Sequence, residues 1–451
     1  MSAAPPPPFQ IVRMPGTGVD RLDTERATSL LKALSDKRWL RFGAAFVLGA
    51  VLVLWIIRIW LMVAQYGLFT AVGFDFGMYL AQVGALRSGD PVGLYQLDIL
   101  DRYHQTLAVY GGPGGSVLQS APVPYPPLFA WLLLPLALVP PLVAFLIWTG
   151  LNLLALFALA WRIAPLVPSS IRPWLPVLLL VFPGILPSLI LGQPMLLLAL
   201  ATAELYLSLR AGRDVRAGLW LACLFFKPQY GILVGLLLLW KRRGGAVAGA
   251  ILGGLVVLIG SLLVAGLPAL LAYPGSLADT AAFRNDVTNP IDMINWRSLV
   301  LVAQTLMPGI GDELALGLVL VLGVLTVCLL GLIWRGPWNT HDRLWPARMA
   351  ALWMATLVAN YHSHIYGLAL LGLPMAAALA IPGLSIRTRW ILAAGMMVPG
   401  VLEPVLLFVP ALRHLPSWLL ALSMAAGLAS ILVETRASWQ PRRWTAALHG
   451  A

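Results

Sequence analysis

Long apolar runs separated by short basic or proline-rich breaks dominate the chain, and their lengths predict helices that cross a bilayer. The first, Phe42 to Tyr66, exceeds the roughly 20 residues that a hydrocarbon core requires. Eleven more follow: Leu142 to Trp161, Trp174 to Leu191, Met195 to Leu209, Ala217 to Phe226, Tyr230 to Trp240, Ala246 to Gly266, Leu314 to Trp334, Ala347 to Ala359, Ile365 to Ile381, Trp390 to Pro410 and Pro416 to Val433. In lipid only a helix satisfies its backbone within one segment, so each run is read as a helix. The apolar stretch Pro127 to Val139 is left out. It has only 13 residues between two proline pairs, and counting it would invert every later helix, so it is read as a helix lying along the membrane surface. Two runs are short for full spans and predict a helical hairpin broken at Lys227-Pro228-Gln229. Such a break is tolerated at membrane depth where it lines a cavity. The expected fold is all-α and polytopic, with about 12 transmembrane helices and interfacial helices in the first outer loop.

Basic residues fix the expected orientation. With the N-terminus inside, the cytoplasmic side receives Arg162 and Arg172, Arg210 to Arg216, Lys241 to Arg243, Arg335 to Arg348, Arg387 and Arg389, Arg436 to Arg443 and the N-terminal tail, 23 of the 30 Lys and Arg. That asymmetry is the positive-inside signature. It divides the chain into a disordered cytoplasmic tail (1–41), a first module with seven helices (42–266) containing an outer loop (67–141), a second outer loop (267–311), five further helices (312–434) and a C-terminal tail (435–451). Both tails fall in the cytoplasm, and the first 41 residues contain no apolar signal-peptide core. The first outer loop holds an amphipathic stretch, Phe76 to Arg87, and a glycine loop, Gly111 to Gly115. The second holds Asp279, Arg284, Asp286, Asp292 and Arg297 ahead of an apolar piece, Leu299 to Leu306.

Composition agrees. Of 451 residues 60% are hydrophobic and 11% charged, too little polar surface to cover a soluble globule. The net charge of +12 is spread over the loops between helices, which argues for a membrane surface and against nucleic acid as partner. Cys223 and Cys328 sit far apart in apolar segments and suggest neither a disulfide nor a metal cluster. There is no Walker A loop, no HExxH, no dinucleotide fingerprint and no Asp-x-Asp beside Asp75, where position 77 is Gly. An ATP-driven pump, a zinc protease and a cytoplasmic nucleotide-sugar enzyme are therefore disfavoured.

A few ionisable residues collect toward the outer rim. Asp75, between Phe74 and Phe76, suits a general base, because partial burial against aromatics raises its basicity. It equally suits the N-cap of a helix starting at Phe76. Lys227 at the hairpin break is a cation at membrane depth and either meets a phosphate or snorkels to the headgroups. His362 and His364 fall at an outer turn, where they hydrogen-bond a phosphate or sugar, ligate a metal with ligands not evident nearby, or seal an interface. Arg58 and Arg297 have the planar geometry that matches phosphate oxygens, with snorkelling as the alternative for Arg58. Gln193 lies at an outer turn leading into a helix N-terminus.

Phe74-Asp75-Phe76 with Tyr79, Tyr125-Pro126-Pro127-Leu128-Phe129, Leu191-Gly192-Gln193, Phe226-Lys227-Pro228-Gln229 and the His362/His364 turn, in that order and spacing, resemble glycosyltransferase family 87 of the integral-membrane GT-C glycosyltransferases. The similarity runs from about Arg41 to the last helix. One departure is Pro194, where the family often has Asn after Gly-Gln. The resemblance implies an inverting transfer of a mannosyl, other hexosyl or pentosyl group from a polyprenyl-phosphate donor to a glycolipid or polysaccharide hydroxyl, on the outer face of a bacterial plasma membrane. It implies Asp75 as base. Donor phosphate contacts are expected from Lys227, His362, His364, Arg58 and Arg297, and a substrate pocket from Phe76, Tyr79, Tyr125, Gln193, Gln229 and Tyr366. No cofactor is expected, and metal-independent transfer is favoured. The rival reading is a transporter or flippase of a lipid-linked or anionic substrate, which the absence of an internal repeat disfavours.

Overall fold

Each apolar run folds into helix, whole or in pieces, but the pieces are fewer spans than the runs suggest. The computed structural model describes residues 38–112, 120–167, 169, 171–282, 292–307, 309–406, 409 and 412–436. Most of both expected tails, residues 113–115 of the glycine loop, and Arg284 and Asp286 lie outside the described residues. In chain order the α-helices are α1 (Arg38–Tyr66), α2 (Phe74–Arg87), α3 (Leu97–Gln105), α4 (Pro127–Leu132), α5 (Pro141–Ile163), α6 (Leu175–Leu180), α7 (Ile185–Leu191), α8 (Met195–Arg210) and α9 (Asp214–Ala222). They continue with α10 (Ile232–Trp240), α11 (Gly244–Ala282), α12 (Trp296–Leu306), α13 (Asp312–Ile333), α14 (Trp345–Val358), α15 (Gly372–Leu379), α16 (Ile386–Leu406) and α17 (Leu415–Arg436).

Among the described residues six helices are long and apolar enough to cross a membrane: α1, α5, α11, α13, α16 and α17. The pair Arg172–Leu180 and Ile185–Leu191, bent by 55°, makes a seventh if it is one broken span. The chain is a multi-pass membrane protein. The twelve expected spans are not confirmed by helix length among the described residues, for a physical reason. Helix α8 has 16 residues, about 24 Å at 1.5 Å per residue, and all 14 residues of α14 are buried in protein. A short helix enclosed by protein, as α14 is, need not match the bilayer thickness, because protein rather than lipid surrounds it.

Three further observations concern the segments expected outside the membrane. Helix α11 does not stop at Gly266. That residue takes φ 75°, ψ 173°, a backbone region open to glycine, and the helix resumes beyond the break to Ala282, so the first 16 residues of the expected second loop are helical. Pro127 to Val139 forms a six-residue α-helix and a five-residue 3-10 turn, far too short to span. It packs on α11, where the Leu128 N–H donates to Ser261 Oγ at 3.2 Å. Helix α2 starts at Phe74, not Phe76, and is buried along most of its length.

Two hydrophobic cores result. The larger joins α5, α8, the α9–α10 hairpin, α14, α15 and α17. The smaller is built from Phe69, Phe74, Phe76, Tyr79, Tyr125, Phe129 and Phe145 around α2 and α4. At one end of the larger core, charged loops pair off: Glu204 with Arg162 (2.5 Å) and Arg216 (3.1 Å), Asp214 with Arg243 (2.5 Å), and Asp342 with Arg348 (2.6 Å). Helix α8 runs from Arg210 at that end to the Gln193 turn, and α9 and α10 run from Asp214 and Lys241 to Lys227. The opposite end is where the two cores meet.

Candidate active site at the seam of two cores

The hairpin breaks where its sequence requires it. Pro228 lacks a backbone N–H and disfavours helix at the residue before it, and Lys227 accordingly leaves helical geometry at φ −132°, ψ 76°. Its side chain is 4% exposed. The ammonium lies 5.2 Å from the Tyr125 ring centre and 4.8 Å from that of Tyr366, two cation–π contacts that partly replace lost hydration.

Asp75 reaches the same cavity from the first turn of α2. Gly73 is the N-cap, and no side chain caps this helix, which removes the capping role for Asp75. Its helical neighbours at i+3 and i+4, Met78 and Tyr79, line the cavity with it, as the α-helical period dictates. Gln193 is 4% exposed and its amide is held at both ends. The Tyr125 hydroxyl donates to Oε1 at 3.1 Å, so the amide nitrogen donates to the Asp75 carboxyl. The Tyr79 hydroxyl, 3.0 Å from that of Tyr125, supplies the next link, and Gln82 Nε2 donates to Val123 O at 3.1 Å, which fixes the segment carrying Tyr125 against α2.

The turn bearing Gln193 closes directly on α2. Gly73 N–H donates to Ile190 O at 2.6 Å, and Trp148 Nε1 donates to Gly192 O at 2.7 Å. Gly192 has φ +78°, and a Cβ there would meet the Phe76 Cβ at 2.6 Å. Gly192→Ala is therefore expected to cost about 2 kcal/mol through left-handed strain and overpacking together, seen as a lower melting temperature in detergent. An unchanged melting temperature would refute this packing.

Burial pushes the Asp75 carboxyl up to about 6, against the Gln193 hydrogen bond and the Lys227 charge, which lower it. Burial likewise lowers the Lys227 ammonium to about 8, with Asp75 opposing. His364 is lowered to about 4 by burial and by the Lys227 and Arg297 charges. His362 falls well below its usual range through burial, His364 and the same two cations. The ring centres of the two imidazoles are 4.9 Å apart, and both are neutral at pH 7. Neutral imidazoles can hydrogen-bond a phosphate or a sugar but bring no positive charge to it.

The cavity gathers Asp75, Tyr79, Tyr125, Gln193, Lys227, Gln229, His362, His364 and Tyr366, contributed by five stretches of chain. It does not include three residues expected at the site. Phe76 is fully buried and stacks on Trp148 at 5.9 Å, facing away because one helical step turns it about 100° from Asp75. Arg58 lies along α1, where its charge is met by Glu403 of α16. Arg297 is buried in α12 with its guanidinium 4.1 Å over the Tyr361 ring, behind the histidine pair rather than on the cavity wall. Thr280, in α11 beyond the Gly266 break, and Met78 line the cavity unannounced. Thr280 falls in the stretch expected to be the second loop, and only the helical phase of α2 points to Met78. Among the described residues, no three His, Cys, Asp or Glu side chains gather as ligands for an ion.

Neither a curated protein nor a solved structure significantly matches the chain. Residues 124–363, more than half of it, match glycosyltransferase family 87. That interval contains Tyr125, Gln193, Lys227, Gln229 and His362, while Asp75 is brought to them by the fold from outside it. A multi-pass membrane chain that matches one family over more than half of its length belongs to glycosyltransferase family 87 and is a membrane glycosyltransferase.

Proposed function

We propose that the enzyme transfers a glycosyl group, mannosyl first among the hexosyl and pentosyl candidates, from a polyprenyl-phosphate donor to a hydroxyl of a glycolipid or polysaccharide acceptor, with inversion. The observation that carries this reading is the burial of one carboxylate and one ammonium, Asp75 and Lys227, in a single cavity. An acceptor hydroxyl is a poor nucleophile until a base takes its proton. As the acceptor oxygen bonds to the anomeric carbon, Asp75 receives that proton. The bond from the anomeric carbon to the phosphate oxygen breaks at the same time, and polyprenyl phosphate leaves with both electrons. Its charge grows from one to two negatives, the change that a fixed cation in a water-poor site stabilises most. Lys227 fills that role, which leaves no step that requires a metal ion.

We take the cavity to open on the extracytoplasmic face of a bacterial plasma membrane. Support comes from the basic loops, which pair off at the far end of α8, α9 and α10 from Gln193 and Lys227, together with the rule that such loops stay in the cytoplasm. The bilayer then offers the donor's hydrocarbon chain a solvent it prefers to water.

The test is transfer from labelled polyprenyl-phosphate sugars to acceptor in vesicles reconstituted with the protein, mannose first. The rate is expected to have a bell-shaped pH dependence. Below about 6 the Asp75 carboxyl is protonated and cannot accept a proton; above about 8 the Lys227 ammonium is discharged. Lys227→Arg should retain the acid limb and lose the alkaline one. A rate that is flat from about pH 5 to about pH 9 would exclude both assignments.

A further inference from the structure

Two buried polar atoms on the cavity wall have no hydrogen-bond partner: Gln229 Oε1 and His362 Nδ1. Buried polar atoms are almost always satisfied within a folded protein, and one left open costs free energy unless a ligand or water completes it. Both come from elements that are otherwise firmly held. The Lys227 carbonyl accepts from Tyr230 N–H at 3.0 Å on one side of Gln229, and His362 N–H donates to Asn360 Oδ1 at 3.0 Å. The side chains are therefore presented to the cavity by fixed backbone.

The chemistry of the two atoms selects their partner. An amide oxygen is an acceptor only, and a phosphate oxygen offers it nothing but repulsion. A neutral imidazole nitrogen accepts or donates according to tautomer and carries no charge with which to hold an anion. A hydroxyl group can satisfy either atom, since it both donates and accepts. Lys227, the one Lys or Arg on the cavity wall among the described residues, is the group suited to the phosphate.

We propose that Gln229 and His362 read the hydroxyls of the transferred sugar ring, while Lys227 holds the phosphate, so that sugar and phosphate are recognised by different walls of one cavity. This rests on the polyprenyl-phosphate donor reading above. It adds a specificity role for two side chains that the acid–base step does not use.

Binding separates the two ideas without requiring turnover. Full-length protein in detergent is titrated with polyprenyl phosphate and with polyprenyl phosphates of the same chain length bearing mannose, glucose, galactose or arabinofuranose. The comparison is between wild type, Gln229→Leu, His362→Phe and Lys227→Met. For the tightest glycosylated lipid, Gln229→Leu and His362→Phe should each weaken binding about tenfold, the loss of one good hydrogen bond, and leave bare polyprenyl phosphate within about twofold. Lys227→Met should weaken both lipids. Removing an unpaired buried polar atom does not cost folding, so the melting temperatures of the first two variants without lipid should not fall. Equal losses for glycosylated and bare lipid, no loss for either, or a wild type that prefers none of the glycosylated lipids over the bare one would overturn the sugar-reading role. If wild type binds neither kind of lipid, the donor reading itself fails instead.

Discussion

Asp75→Asn is expected to lower transfer by about 10²- to 10⁴-fold, the range that a positioned general base contributes, while leaving the protein folded. Asparagine matches the carboxyl in size and still accepts from the Gln193 amide that now donates to Asp75. Stability should move in the opposite direction from activity. Burial holds the folded-state carboxyl up at about 6, so its contribution to stability is present in acid and is lost as pH rises through that value. At pH 7.5 the native protein carries a charge it would rather not hold, and the neutral amide relieves it. The melting temperature of Asp75→Asn should equal or exceed that of wild type at pH 7.5. A variant that turns over at more than about a tenth of the wild-type rate would rule out Asp75 as the base. A variant that melts well below wild type would show that the residue is structural.

Lys227→Met should reduce kcat by about 10²- to 10³-fold, the cost of removing one preorganised charge-stabilising group. Methionine keeps the length and apolar stem of the side chain and loses the ammonium that sits over the Tyr125 and Tyr366 rings. Because the phosphate of the proposed donor would gain charge as it departs, the loss should fall more heavily on kcat than on donor affinity. Single-turnover rates at saturating donor provide the check. An unchanged rate with only weakened binding would reduce Lys227 to a ground-state contact.

Much of the site was legible because its punctuation is local. Proline after Lys227 announces the hairpin break, a glycine at 192 announces the tight turn that delivers Gln193, and the polar run from Asn360 to His364 interrupts two apolar segments. Helical phase was equally available, and it corrects the one pocket aromatic that was misplaced. On a helix containing Asp75, residues 78 and 79 share its face and residue 76 does not. Placing the helix start at Phe76 rather than Phe74 hid that geometry. What the chain could not disclose is pairing over long separations. Nothing near Arg58 points to Glu403 as the charge it meets, and nothing near Arg297 shows that Tyr361 lies across its face. The number of spans is not confirmed for a related reason. An apolar run has the same composition whether lipid or protein surrounds it, and α14 is hydrophobic because other helices enclose it.

The walls of the cavity are gathered from Asp75 through Tyr366, so they cannot come together until about four-fifths of the 451 residues have been made. A nascent chain inserted as far as the hairpin already has its carboxylate and its ammonium but neither imidazole. The assembled cavity therefore belongs to a late stage of synthesis, and the site stays incomplete until the histidine turn and Tyr366 have been delivered to it.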